Sequence, residues 1–392
     1  VRFPQKKGQN QMKRTVLVHV ISNLGIGGAE AVLYQLLSRL DMKQFDHKVI
    51  YFYDGPYVQK IRDLGIPVHQ VKGLFLPYDP IFLVRFFSLI KQLQPDCLHT
   101  VLWAANLLGR LAAWKYNLPL VQALHNNQDQ NGFLRRFIDR FSPKVSGPIV
   151  AVSEGVSQSV ATYTPWVTIE RMCVIKNGID ATEVQKRATI ESVSRENLGL
   201  APDHFVIGTV GRFEPVKNYA FLLTAFAVLY DKYRKERLVL LGQGSQEHFL
   251  RRRAYYLGID EQVLFITGQP AYKYYPLFDC FVMTSYKEGL SMALLEAMSM
   301  GIPCIVTSSE LHHDVLVHEE NGLLVPPGNP QLLADALDRL AQDSALRIRL
   351  GSAAKKTIEQ SFTIDSMISG YTKIYQKAIA EMSDAKPFVN RG

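Results

Sequence analysis

Short β-branched and aromatic runs alternate with longer amphipathic stretches along this chain, and the series occurs twice. In the first half, strands are read at residues 15–21, 47–52, 68–71, 97–100, 120–123, 149–152 and 173–175, with helical patterns between most of them, such as 30–40 and 81–93. The second half repeats the scheme, with strands at 205–210, 238–241, 263–267, 280–284, 303–306 and 322–325. Its helices are read at 219–233, 246–257, 292–300, 330–342 and 344–361. Alternating βα units imply a parallel sheet covered on both faces. Two series imply two Rossmann-like doubly wound α/β domains, one at residues 12–185 and one at 198–365. The boundary falls in the polar stretch 181–196. At about 150 residues per domain, 392 residues are too many for one core.

Composition removes several other classes. Hydrophobic residues make up 47% and charged residues 20%, a globular balance. The richest apolar run, 81–90, is about half the length of a membrane-spanning helix and contains Arg85. Cys97, Cys173, Cys280 and Cys304 are widely spaced, which excludes CxxC and zinc-finger spacings and fits a reducing, cytoplasmic compartment. Residues 1–11 read as an extension or loose tail before Met12, and 15–21 as a first strand rather than a signal peptide. Charge is unevenly spread. Residues 1–190 carry 23 Lys/Arg against 13 Asp/Glu, and residues 191–392 carry 21 against 23. A basic first half attracts anionic partners or serves solubility alone.

In open α/β sheets, ligands bind beyond the carboxyl ends of the strands, so the strand-to-helix loops matter most. After the first strand comes Gly25-Ile26-Gly27-Gly28-Ala29-Glu30. Glycines admit a ligand close to the backbone, and the following helix aims N–H groups at anions. The spacing departs from the dinucleotide fingerprint, and Tyr51-Phe52-Tyr53 stands where a ribose-binding acid is expected. The loop 211–218 holds Arg212, a planar fork, and Lys217, a mobile point charge, which together suit a diphosphate. The loop 288–297 is the most informative. Gly289 permits an unusual turn, and the amides of Leu290, Ser291 and Met292 open a helix, an anion site by geometry and dipole. Glu288 and Glu296 flank that site. They suit hydroxyl groups, as on a sugar and a ribose, and Glu296 lies in an otherwise apolar helix.

Glu288 and Glu296, separated by seven residues, resemble the E-x7-E motif of retaining GT-B glycosyltransferases of the large fourth sequence family, the glycosyl transferases group 1. The resemblance extends to the first glycine loop, to Val152-Ser153-Glu154, and to residues 174–180, where Lys176 replaces the usual proline. It continues through Arg212 and Lys217, Gly242-Gln243-Gly244, Gly268, and residues 322–328 followed by Asn329 in place of aspartate. It covers nearly the whole chain and implies a metal-independent, hexosyltransferase-type enzyme without cofactor. The enzyme would move a sugar from a nucleoside diphosphate sugar, a UDP-sugar by preference, with retention at the anomeric carbon. The donor site would comprise Gly27, Gly28, Arg212, Lys217, Gly268, Glu288, Gly289, Leu290, Ser291 and Glu296. The catalytic set would be His125, Arg212, Lys217 and Glu288. By the same resemblance, 366–392 is a helix returning to the first domain. No Asp-x-Asp occurs in the chain, so cationic side chains and a helix terminus would take the place of a metal.

His125 follows a first-domain strand and is read as facing the cleft, with a structural histidine as the alternative. Residues 131–141 mix aromatics with Arg135, Arg136 and Arg140. Phe133, Phe137 and Phe141 form one stripe. The preferred reading buries that stripe in its own domain; the alternative lays it on an anionic membrane. With the basic first half, the latter fits a glycan or lipid-linked acceptor in polysaccharide or lipopolysaccharide assembly, at the inner face of the membrane. The rival functions are a nucleotide-sugar epimerase of the same fold and a basic nucleic-acid-binding protein. The sequence carries no nucleic-acid-binding motif, so no nucleic-acid partner is expected.

Overall fold

The computed structural model describes residues 14–73, 80–125, 132–144, 147–163, 171–307 and 314–384. The tail 1–11 and the Met12 start lie outside these residues, as do Asn126, Asn127 and Asn131 beside the loop that carries His125.

The first sheet has seven parallel strands in the order β3-β2-β1-β4-β5-β6-β7. They are β1 (Thr15–Asn23), β2 (Phe45–Tyr53), β3 (Val68–Gln70), β4 (Cys97–Val101), β5 (Leu120–Leu124), β6 (Ile149–Ala151) and β7 (Met172–Val174). The second has six parallel strands in the order β10-β9-β8-β11-β12-β13. They are β8 (Phe205–Val210), β9 (Glu236–Leu241), β10 (Val263–Ile266), β11 (Cys280–Met283), β12 (Cys304–Thr307) and β13 (Leu323–Val325). Both sheets reverse direction beside their first strand, between β1 and β4 and between β8 and β11. These are the switch points where doubly wound sheets open a crevice.

Helices cover both faces because every connection is a crossover. In the first domain α1 (Gly28–Arg39), α2 (Tyr57–Asp63), α3 (Pro80–Leu93), α4 (Trp103–Tyr116), α5 (Phe133–Phe141) and α6 (Glu154–Tyr163) follow successive strands. Then come α7 (Ala181–Ile190), α8 (Tyr219–Tyr233), α9 (Glu247–Tyr256), α10 (Met292–Ser299), α11 (Pro330–Gln342), α12 (Ser344–Ser361) and α13 (Ile364–Asp384). α7 sits against α10, and Gln185 donates 2.7 Å to the Ser299 carbonyl. α13 packs on α1, β4 and β5 of the first domain. The chain crosses between domains twice, side by side. The Ile179 amide donates to the Phe362 carbonyl at 2.8 Å, and the Ile364 amide to the Ile179 carbonyl at 3.1 Å.

Side chains alternate across β1. Val18 and Val20 pack with Phe82 and Phe86 of α3, while Leu17 packs on the face covered by α13. On that second face, three strands place His19, His47 and His99 together, all buried. His19 Nδ1 lies 2.9 Å from His99 Nδ1, and His19 Nε2 lies 3.0 Å from His47 Nδ1. A neutral His19 donates through one nitrogen and accepts through the other, so the tautomers of the three rings are linked. Burial pushes the imidazoles down, His47 to about 4, His99 to about 3 and His19 well below the ordinary value. Tyr371 and Tyr375 of α13 close over them.

Candidate active site

Loops after β8 and β11 build the charged half of the site. The turn at Gly242 follows β9 and presses on the loop after β8. A Cβ on Gly242 would lie 1.9 Å from the Gly211 carbonyl oxygen, so only glycine lets the two turns stack. The Phe213 amide donates 2.9 Å to the Gln243 carbonyl and fixes the loop there. The Tyr286 amide donates 2.9 Å to the Val216 carbonyl, and the Thr284 hydroxyl donates 2.9 Å to the Lys217 carbonyl. Thus the backbones of both loops are stitched before any charge is counted. Lys217 Nζ then meets Glu288 Oε2 at 2.5 Å, with both side chains largely covered. Arg212 is exposed and forms no ion pair among the described residues.

The next residues lead into α10. Ser291 caps the helix without a side-chain hydrogen bond, leaving the first amides of α10 to other acceptors. A Cβ on Gly289 would lie 2.2 Å from the His125 carbonyl oxygen, which puts this turn in backbone contact with the first domain. Asn177 Nδ2 donates 3.2 Å to the Leu290 carbonyl from the first domain's side of the crossing. One turn further, Tyr275 donates from its hydroxyl to Glu296 Oε2 at 2.7 Å. Burial pushes the Glu296 carboxyl up, and the Tyr275 bond pulls it back.

The first domain contributes backbone and one imidazole. Gly27 caps α1, and a Cβ on Gly28 would stand 3.9 Å from Met292 Cγ, at the start of α10. Glu30 is buried beside Gly27; burial pushes its carboxyl up, and the Arg212 charge pulls it down. Burial lowers His125 to about 4, so its ring is neutral at pH 7. The structure therefore brings Gly27, Gly28, His125, Arg212, Lys217, Glu288, Gly289, Leu290, Ser291 and Glu296 to one crevice. Gly268 follows β10, with φ +69 and open space around it, and none of these contacts joins it to the others. Sequence reading did not single out Tyr275, Asn177 or Glu30 as site residues. Glu30 lay within the glycine loop and Asn177 within the motif at 174–180, but nothing in the sequence announces Tyr275, nor that Asn177 bonds a carbonyl 113 residues away.

α5 corrects one expectation. Phe137 and Phe141 are not buried in their own domain: they are 52% and 70% exposed, with ring centroids 4.8 Å apart. Among the described side chains of the helix, polar ones tie it to α4. Asp139 accepts 2.8 Å from Trp103 Nε1 and pairs with Arg110, and Arg135 lies over the Trp103 ring. The side chains of Phe133 and Arg136 lie outside the described residues.

Among the described residues, no helix is long and apolar enough to cross a membrane. No group of three or more His, Cys, Asp or Glu side chains there is placed to hold a metal ion.

Two doubly wound sheets whose switch-point loops meet across a crevice define the GT-B class of α/β protein. HepE of Anabaena in complex with UDP-glucose has this fold, with a TM-score of 0.81 at 20% identity over 93% of this chain and all of that one. Family models match both halves: Glycosyltransferase Family 4 over residues 26–183 and Glycosyl transferases group 1 over residues 191–357. The chain belongs to this glycosyltransferase family and is an enzyme of that kind. An uncharacterized glycosyltransferase of Methanocaldococcus jannaschii is 24% identical over 84% of this chain and 89% of its own length. The UDP-Gal:α-D-GlcNAc-diphosphoundecaprenol α-1,3-galactosyltransferase of Escherichia coli is 23% identical over 89% of this chain and 94% of its own.

Proposed function

We propose that the enzyme transfers a hexose, with retention and without a metal, from a UDP-sugar to a glycan or lipid-linked acceptor in cell-surface polysaccharide or lipopolysaccharide assembly. The observation that carries this reading is the meeting of Arg212, Lys217, Glu288 and the start of α10 at one switch point. Arg212 and Lys217 would hold the diphosphate and stabilise its charge as the sugar leaves. Preorganised charge of this kind acts most strongly in a site that excludes water. Lys217 already has Glu288 as its partner. A diphosphate would take over the ammonium and release the carboxylate to accept from sugar hydroxyls. The amides of Leu290 and Ser291 would hold phosphate or sugar oxygens, Glu296 the ribose, and the backbone at Gly268 the base. Gly27 and Gly28 would let the donor approach α1. A neutral His125 would donate to the reacting sugar.

With an activated leaving group, the front-face path needs no protein nucleophile, unlike hydrolases with paired carboxylates. The donor type is supported by HepE, whose structure holds UDP-glucose, and the acceptor type by the Escherichia coli relative named for a diphosphoundecaprenol-linked sugar. Exposed Phe137 and Phe141, flanked by Arg135 and Arg140, would rest on an anionic membrane at the cytoplasmic side.

Thermal stabilisation by UDP, GDP, ADP and their sugar conjugates, with and without EDTA, tests the reading. A ligand at 100 times its dissociation constant adds about 2.7 kcal/mol. UDP raising Tm equally in EDTA supports it. No shift with any nucleotide defeats the donor assignment, and a shift abolished by EDTA defeats metal independence.

A further inference from the structure

We propose that Tyr275 is a positioning residue: its hydroxyl orients the Glu296 carboxylate and thereby sets how strongly the enzyme distinguishes a ribose from a deoxyribose donor. This rests on the reading that Glu296 faces the ribose.

The phenol has one proton and two acceptors in reach, Glu296 Oε2 at 2.7 Å and the Ala293 carbonyl at 3.3 Å. The nearer, charged acceptor makes the stronger bond. Tyr275 is fully buried, and its ring packs edge-on against Phe278 at 5.9 Å and near Phe281 at 6.4 Å. The donor therefore cannot swing away. It stands in a short 3-10 turn just before β11, while its acceptor stands on the helix after β11, so the bond spans the strand that carries the switch point. Oε2 is engaged in this way. Oε1 is not engaged by Tyr275 and is left to accept from a ligand hydroxyl.

The titratable neighbours agree with this placement. The Glu296 carboxyl feels burial, which pushes it up, and the Tyr275 bond, which pulls it down. Across the crevice, Tyr57 is pushed up to about 12 by burial first, then by Glu296 and Glu30. Tyr275 itself is held well above the ordinary phenol range by burial and by Glu296, so it stays a donor at any working pH. Removing its hydroxyl leaves a carboxylate that is less fixed and more readily protonated.

The test compares UDP with 2′-deoxy-UDP and 3′-deoxy-UDP on the full chain, by calorimetric or thermal-shift titration, in wild type, Tyr275→Phe and Glu296→Gln. Tyr275→Phe removes one oxygen and keeps the ring, and its Tm without nucleotide confirms folding. The expected result is about tenfold weaker UDP binding with little change for whichever deoxy analogue lacks the contacted hydroxyl. The preference for ribose then shrinks. The acid limb of UDP binding should also move to higher pH in Tyr275→Phe, because the carboxyl loses the bond that pulls it down. A ribose preference in Tyr275→Phe equal to that of wild type, with an unmoved acid limb, overturns the proposal while leaving the Glu296 reading intact. Glu296→Gln retaining the full preference overturns the reading of Glu296, and the proposal falls with it.

Discussion

The two switch points have the same strand order and opposite chemistry. After β1 the crevice is edged by glycines, and after β5 by a neutral imidazole, His125. After β8 and β11 it is edged by Arg212, Lys217, Glu288 and the first amides of α10. The buried interiors differ as well: the first sheet holds three hydrogen-bonded histidines under α13, whereas the face of the second sheet under α8 and α11 is packed with apolar side chains. One fold therefore supports two kinds of site. The first presents glycine turns, the His125 ring and one buried carboxylate, Glu30. The second concentrates charge on backbone turns that are hydrogen-bonded to one another, which suits a diphosphate.

The largest effects should come from the charged side. Arg212→Ala should lower turnover by about 10²–10³-fold and weaken nucleotide binding, because a charge-assisted contact is lost in both ground and transition states. Glu288→Ala should lower turnover strongly while sparing most of the UDP-induced Tm shift. Wild-type turnover in that variant would remove Glu288 from the mechanism. His125→Ala, on the other side, should leave UDP binding nearly unchanged and slow transfer. Equal losses of UDP binding in Arg212→Ala and His125→Ala would erase the distinction between the two sides.

Smaller, structural effects sharpen the same contrast. Gly242→Ala and Gly289→Ala each push a Cβ onto a backbone carbonyl, 1.9 Å and 2.2 Å away, and should cost about 1–3 kcal/mol. Gly242→Ala acts within the second domain, so it should weaken UDP binding. Gly289→Ala also pushes on His125 and should widen the crevice, which small-angle scattering would detect.

Acid should find the first domain. An ordinary imidazole titrates near 6.5, while His47 and His99 bind protons only near 4 and 3 in the folded protein. Between those pH values the unfolded state binds more protons, so stability is full above pH 6.5 and declines as pH falls. Each buried imidazole should cost roughly 1 kcal/mol at pH 5.5. In denaturant titrations, His99→Gln should flatten the decline between pH 7 and 5.5; an unchanged slope would show that the trio does not govern it. Least of all, Phe137→Ser with Phe141→Ser should change stability by less than about 0.5 kcal/mol, since these rings are exposed. The same pair should reduce sedimentation with vesicles of anionic lipid, and undiminished sedimentation would remove α5 from the membrane reading.

Much of this molecule follows from local sequence. Short β-branched runs and 3.6-residue patterns place the thirteen described strands, and the helices assigned ranges from sequence, within a few residues, because each element must bury apolar side chains. The polar stretch 181–196, read as a boundary, instead begins with α7. The loops at Gly25, Arg212 and Glu288 are legible for a related reason: glycine, charge and a helix start are all local properties. Tertiary structure decided the rest. Only folding pairs Lys217 with Glu288 across 71 residues, seats Gly289 on His125, and collects His19, His47 and His99 from three strands. It also exposed two rings of α5. The hydrophobic stripe predicted burial, but Phe137 and Phe141 are exposed while Asp139 bonds Trp103 and Arg110 on α4. A sequence states which faces are apolar. Which partners satisfy the polar groups depends on residues far apart in the chain, and at the site those partners determine the chemistry.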